Sequence, residues 1–399
     1  MARKDRGSAR MLAWLCVLAG GALSLGCMGI SSGPGDGGGL DVRDRDVAYD
    51  VPNVPDIDPG DGNGGSGPGS GNNGPGTHDA VGDGFGFPSV DPDGGMSFPV
   101  CRESLRETFS TSKINNPERD SDAYASPDRA AIDSLQKSIN RAFQADPKGS
   151  VKHAESAGYR VCIFGTGPHP VLIWKPEDDS TGHARLAVRS SPDAVPLIVE
   201  APHAFFELHT LDEAVAIFEK ARSRALISSG THRCANTKPS NCDGRTRVCS
   251  SQPIAYRTSD MAHNIETFFH AMHVAVSLWD SRSVAVSLHG FTEEGISLSN
   301  GTTKSAARDS LVARVGSALE SVFPSEKITY CNDIPGRPHE KRLCGTTNVQ
   351  GRHYNGSWNA CGVGADEASG RFLHIEQSLS IRENYQTVAS AFASGLAQD

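Results

Sequence analysis

Two histidines each close a short apolar run, Val195 to His203 and Ser283 to His289, and a third run, Arg371 to Glu376, closes on a carboxylate. Short apolar runs that end abruptly in polar residues read as buried parallel strands. Ligands of an open α/β sheet bind just beyond the carboxyl ends of its strands. Three strands delivering His203, His289 and Glu376 to one edge would make a hydrolytic zinc centre. Zinc in such a centre takes three nitrogen or oxygen ligands and keeps a fourth position for water. The ion lowers the pKa of that water to about 7 and polarises the scissile carbonyl. A carboxylate within hydrogen-bond reach takes the proton and hands it to the leaving nitrogen.

The elements that must position these residues follow from the pattern. Ser126-Pro127-Asp128 announces a helix over about 127–145. Tyr159–Phe164 and Pro170–Trp174 read as a hairpin around Gly165–Pro168, with Arg185–Arg189 a further strand. Strands and helices then alternate: strand Leu197–Ala201, helix Leu211–Arg224, strand Ala225–Ser228, helix 264–279, strands Val284–Leu288 and Ile296–Leu298, helix 305–322, strand Phe372–Ile375 and helix 383–396. Such alternation means an α/β fold with a mainly parallel central sheet and helices on both faces. One domain over 98–399 is expected, its early residues forming a cap or an antiparallel edge.

The N-terminus is a different material. Arg3, Lys4, Arg6 and Arg10 precede the apolar stretch Met11–Leu25, which is short for a membrane span and reads as a secretory signal. It ends Leu23-Ser24-Leu25-Gly26-Cys27, which resembles a bacterial lipobox in which Cys27 is lipidated; Ser24 stands where an aliphatic residue is usual. Residues 1–27 are therefore expected to be a lipoprotein-type signal and 28–97 a disordered Gly/Pro/Asp-rich tether. Nineteen of the chain's 43 glycines fall in 31–97, and such a segment cannot bury enough apolar surface to offset its ordering entropy. As a coil it would span roughly 45 Å. The expected location is the bacterial cell envelope, periplasmic or surface side, with the membrane reached through the lipid.

Eight cysteines remain once Cys16 and Cys27 are set aside, and an even number in an exported chain implies disulfides. Cys331 and Cys344 bracket a loop holding Pro335, Gly336 and Pro338 and are expected to pair; Cys242 with Cys249 is the next local pair. The formal net charge is −9 with no basic stripe, so nucleic acid is not an expected partner.

Pro202-His203, Thr231-His232-Arg233 with Asn236, Leu288-His289-Gly290 and His374-Ile375-Glu376 occur in the order seen in N-formylglutamate amidohydrolase-like proteins. These belong to the broader zinc-carboxypeptidase and aspartoacylase fold, and the chain resembles them over roughly 195–382. The resemblance implies a Zn2+ ion held by His203, Glu207 and His289, with Glu376 as general base. The carboxypeptidase pattern is His-x-x-Glu, whereas three residues separate His203 from Glu207 here, and His209 is close enough to be the alternative ligand. An arginine near such a pocket holds a substrate carboxylate through two parallel hydrogen bonds. Arg233 with Asn236 is the first choice for that task and Arg382 the second, and His263 is expected to touch substrate. The implied activity is cleavage of an amide bond beside the carboxylate of an N-acyl amino acid or peptide. The alternative is a non-catalytic envelope binding protein that keeps the fold.

A rival constellation is Asp260, His263, His270 and His273. His270 and His273 stand one helical turn apart and could share a metal. They lack the glutamate of a His-Glu-x-x-His motif, and the plainer reading is a polar helix face lining the cleft. Within 98–399 no Gly-x-Ser-x-Gly nucleophile elbow and no phosphate-binding Gly-x-x-x-x-Gly-Lys occurs. Asn348–Cys361, rich in Gly, Asn and aromatics, reads either as a mobile loop over the pocket or as a disulfide-tied surface loop.

Overall fold

The apolar runs become strands. The computed structural model describes residues 98–110, 116–165 and 169–396, so the signal, Cys27 and the tether lie outside the described residues. The strands are β1 (Tyr159–Phe164), β2 (Val171–Pro176), β3 (Arg185–Arg189), β4 (Val195–Ala201), β5 (Ser223–Ser228), the short pair β6 (Arg245–Thr246) and β7 (Ile254–Ala255), β8 (Val284–Gly290), β9 (Ile296–Ser299), β10 (Ile328–Tyr330) and β11 (Phe372–Gln377). The longer helices are α1 (Leu105–Ser110), α2 (Arg129–Phe143), α3 (Pro147–Ser156), α4 (Thr210–Lys220), α5 (Phe268–Trp279), α6 (Leu311–Val322), α7 (Val349–Tyr354), α8 (Leu379–Glu383) and α9 (Tyr385–Leu396).

The main sheet has nine strands in the order β1-β2-β3-β5-β4-β8-β11-β9-β10. Its centre, β5-β4-β8-β11, is wholly parallel. Antiparallel pairings flank that centre, through β3 on one side and β9 on the other. The hairpin β1–β2 supplies the antiparallel edge expected of the early residues. Alternation along β4 divides the core. Leu197, Val199 and Ala201 pack with α4, α6 and α9, while Ile198 packs with α2 and α5 on the other face. Each fully buried Leu, Ile or Val contributes about 1.5–3 kcal/mol, so the helices on both faces are held chiefly by these central strands.

Local chemistry sets the helix ends. Asp128 accepts a hydrogen bond from Ala131 N at 2.7 Å and starts α2. The expected 127–145 helix stops at Phe143 because Asp146 and Pro147 start a new one, α3, with Asp146 capping Gly149 N at 2.8 Å. Thr267 caps α5, so the expected 264–279 helix begins at Phe268. Ser310 caps α6, which begins at Leu311 rather than 305. The Asn348–Cys361 segment opens with the helix α7, capped by Asn348, rather than forming one continuous loop.

The disulfides are Cys101–Cys162, Cys234–Cys249, Cys242–Cys361 and Cys331–Cys344. The last is the expected pair; Cys242 with Cys249 is not formed. Arg257 explains the change: its Nη1 donates to Cys234 O at 2.6 Å and its Nη2 to Cys249 O at 3.2 Å, drawing those two backbones together. Cys242 instead faces α7, whose Arg352 reaches both Asp243 and Cys361 O. Four disulfides point to an oxidising, exported setting. Among the described residues no helix is long and apolar enough to cross a membrane.

Candidate metal centre

Because β4, β8 and β11 run parallel, their carboxyl ends open on one edge of the sheet. His203 follows β4 after Pro202, and His289 and Glu376 sit directly opposite each other in the β8–β11 register. His203 opens a helical turn in which Phe206 N and Glu207 N both donate to His203 O at 2.9 Å. On such a turn, residues three and four apart are equally neighbours. The extra residue between His203 and Glu207 therefore costs nothing in geometry: His203 Nδ1 lies 2.8 Å from Glu207 Oε1. His209 is turned away, its side chain 38% exposed and its Nδ1 3.3 Å from Asp212.

His289 completes the group. Its Nδ1 is 3.1 Å from His203 Nδ1 and 3.4 Å from Glu207 Oε2. Donors 2.0–2.1 Å from one tetrahedral ion lie about 3.3 Å apart; the two Nδ1 atoms are 3.1 Å apart, and Glu207 presents Oε1 at 2.8 Å to His203 and Oε2 at 3.4 Å to His289. The side chains fit a zinc-sized ion. The far nitrogens are held as metal-binding imidazoles usually are. His203 Nε2 meets Asp260 Oδ1 at 2.8 Å. His289 Nε2 meets Ser287 Oγ at 3.0 Å, and Ser287 Oγ also accepts from Asn348 Nδ2 at 3.2 Å.

Arg233 is in the centre but not free for substrate. Its Nε and Nη2 donate to Asp260 Oδ2 at 3.1 and 2.7 Å, and its Nη1 donates to Glu207 Oε1 at 3.2 Å. The expected substrate clamp is thus spent on bracing two carboxylates of the site. Asn236 stays outside. Its Nδ2 donates to Tyr124 O at 3.1 Å and its Oδ1 accepts from Lys238 N at 2.9 Å, fixing a turn instead. Arg382 is buried, donating from Nε to Gln377 O at 3.2 Å and from Nη1 to Leu208 O. Its guanidinium lies against Gly290, where an added Cβ would come within 2.4 Å of Arg382 Cζ. Gly290 N donates to Glu207 Oε2 at 3.0 Å, and the absent side chain leaves room for the Arg382 guanidinium beside the strand end.

The rival constellation divides. His263 joins the centre, its Nδ1 2.8 Å from Asp260 Oδ1 and its ring stacked on Tyr256 at 3.6 Å. His273 lies on the opposite face of β4, its Nδ1 2.6 Å from Glu200 Oε1, with the His270 and His353 rings beside it. Two further residues, Asp260 from the rival group and His374 from the His374-Ile375-Glu376 motif, were given no role at this centre by the sequence. Asp260 reaches His203 across 57 residues of chain, beyond any local pattern. His374 shares a face of β11 with Glu376, and their i, i+2 spacing in a strand is the signal that could have placed it beside the base.

Charge follows geometry. Burial opposes a charge on Glu207, yet the imidazoles of His203 and His289 hold its carboxyl well below the usual range. Asp260 is likewise buried but held low, first by Arg233, then by His263 and His203. Burial and Arg233 work against a proton on His203, and Glu207 with Asp260 outweigh them and raise it. Burial lowers His289, and lowers His263 to about 4, so both are neutral, the form that ligates metal. Burial, reinforced by Glu207, pushes Glu376 up to about 8. Three overlapping groups on the described residues could hold a metal ion: His203 with Glu207 and His289, His203 with Asp260 and His263, and His289 with His374 and Glu376.

No protein-family model matches the chain, and no curated protein matches it. Among solved structures it is similar to a bacteriophage poly-gamma-glutamate hydrolase, 15% identical over 54% of this chain and 89% of that one, with a TM-score of 0.32. A zinc-free form of YNDL is 14% identical over 55% of this chain and 92% of that one, with a TM-score of 0.32. A Shewanella amazonensis protein proposed to be a metallopeptidase is 13% identical over 61% of this chain and 87% of that one, with a TM-score of 0.27. Likenesses this distant carry no weight for the chemistry.

Proposed function

We propose that the chain is an exported zinc-dependent hydrolase that cleaves an amide bond beside a substrate carboxylate, in an N-acyl amino acid or a peptide of the cell envelope. The observation that carries this reading is the convergence of His203, Glu207 and His289 at the carboxyl edge of a parallel sheet, with the two Nδ1 atoms 3.1 Å apart and one oxygen of Glu207 within 3.4 Å of each. Glu376 stands in register beside them. The sequence resemblance to N-formylglutamate amidohydrolase-like proteins supports the same assignment, as does the zinc-exopeptidase type of sheet it implies.

When bound, zinc would acidify a water and polarise the substrate carbonyl. The chain's own residues do the rest. Glu376 accepts the proton of the attacking water and delivers it to the leaving nitrogen. Asp260 fixes the ring of His203, and Arg233 keeps Asp260 ionised and braces Glu207. Arg382, beside the centre, is the arginine proposed to receive a substrate carboxylate through the N–H groups not given to Gln377 O and Leu208 O, and His263 is proposed to touch substrate. Cys27 would carry the lipid, with 28–97 as the leash between membrane and catalytic domain. The alternative of a non-catalytic binding protein drew on the long His203–Glu207 spacing, which the helical turn accommodates.

The test is zinc content together with turnover on a panel of N-acyl amino acids and of α- and γ-linked peptides. Glu376→Gln should retain zinc and lose roughly 10²–10⁴ in kcat. Wild-type protein without zinc, or turnover indifferent to Glu376→Gln, would sink the reading.

A further inference from the structure

His270, His273 and His353 meet on the face of β4 turned away from the centre. His270 and His273 stand one turn apart on α5, and His353 comes from α7. Their ring centroids form a triangle with sides of 5.8, 5.9 and 5.3 Å. Imidazoles sharing one tetrahedral ion at 2.0–2.1 Å place their centroids about 5 Å apart. His273 is wholly buried, and its Nδ1 meets Glu200 Oε1 at 2.6 Å. A carboxylate that fixes the proton on one ring nitrogen leaves the lone pair on the other, which is how metal-binding imidazoles are usually held. That other nitrogen, Nε2, is fully enclosed and has no hydrogen-bond partner among the described residues. His270 Nδ1 and Glu200 Oε2 are in the same state. Buried polar groups are nearly always paired, and one cation would engage both nitrogens and balance the carboxylate. Burial first, then the neighbouring imidazoles, holds His270 far below its ordinary range and His353 at about 3. Both rings are therefore neutral, the form that ligates metal.

We propose that His270, His273 and His353, backed by Glu200, form a separate transition-metal site, a structural clasp between α5 and α7. Three imidazoles without a thiolate suit zinc, nickel or copper. His270 and His353 are only partly buried, which gives the ion a way in. As the rings stand, no set of their three nitrogens falls within 4.8 Å all round. The two outer imidazoles therefore turn about their Cβ–Cγ bonds to close on the ion, while Glu200 keeps His273 still. In turning, His353 Nε2 gives up only a 3.3 Å contact with Ser277 Oγ. The clasp steadies the start of α7, where the capping Asn348 donates to Ser287 Oγ behind His289.

The clasp shares no residue with the hydrolytic centre, so counting metal tests the two separately. Equilibrium dialysis of the full chain against zinc should give two equivalents. A variant carrying His203→Ala and His289→Ala, which strips the centre, should still bind one. Adding His270→Gln and His353→Gln to that variant should remove it, and with it the rise in unfolding temperature that zinc produces. A stripped variant that binds no zinc overturns the clasp, and leaves the hydrolase reading standing where wild type binds one equivalent. A folded fourfold variant that still binds zinc also overturns it. If the variants do not fold, by far-ultraviolet circular dichroism, carbethoxylation of wild type mapped by mass spectrometry takes their place. Zinc should then slow modification of His270 and His353 at least threefold, and unchanged modification overturns the proposal.

Discussion

Glu213→Gln should stabilise the protein increasingly as pH rises from acid to neutral. Glu213 is fully buried on α4, beneath the site, and its two oxygens accept from Gln377 Nε2 at 2.8 and 2.9 Å. Burial pushes its carboxyl from the ordinary 4.5 up to about 8, against the pull of Gln377 and Arg382. Below pH 4.5 folded and unfolded chains both carry the proton, and the group imposes no penalty. Between 4.5 and about 8 the unfolded chain releases the proton while the folded chain keeps it, so stability falls as pH rises. Above about 8 the penalty is complete. At about 1.4 kcal/mol per pH unit that full penalty is about 5 kcal/mol, and at pH 7 about 3 kcal/mol. Glutamine keeps the shape and an acceptor for Gln377 without the titration. Denaturant unfolding of both proteins across this window should show the variant's advantage growing by about 3 kcal/mol between pH 4.5 and 7. Curves that stay parallel would refute the reasoning, because they would mean that Glu213 titrates alike in both states.

Asp260→Asn should weaken zinc binding by roughly 10–100-fold, read by competition with a chelator, because it loosens the grip on His203 Nε2 while leaving all three donors in place. Replacing both Cys242 and Cys361 by serine opens a loop of 119 residues. It should cost about 5 kcal/mol in denaturant unfolding under non-reducing conditions, whereas a loss below about 1 kcal/mol would show that Arg352 and Asp243 hold the segment without the sulfurs.

What could be read from the residues was whatever lies within one strand or one helical turn. The apolar runs before His203 and His289 and the run ending at Glu376 marked three central strands, and their common direction put those ends on one edge. The helical-turn geometry of 203–207 was available in principle, since positions four apart meet on such a turn. Contacts between distant stretches were not available. Nothing in the spacing of Asp260 tells that it closes on His203, or that Arg233 is spent holding it. The cysteine pairing failed for the same reason: sequence proximity favoured Cys242 with Cys249, while Arg257 and Arg352 draw each toward a partner elsewhere. The split at Phe143 was legible in Asp146-Pro147, a second start signal inside the expected helix.

Strand β4 carries an ion-capable pair on the side away from the metal centre, Glu200 against His273, both wholly enclosed. Neighbouring strands could otherwise slide past one another by a residue with little change in backbone bonding, and such a slip reverses every side chain. Here it would thrust a carboxylate among the aliphatic residues of α4 and α9 and strand an imidazole without its mate. The pair works as a detent, a notch that stops the strand at one height. What it sets is how far Pro202 and His203 protrude beyond the sheet, so the reach of the first ligand is decided on the face of the molecule that never meets substrate.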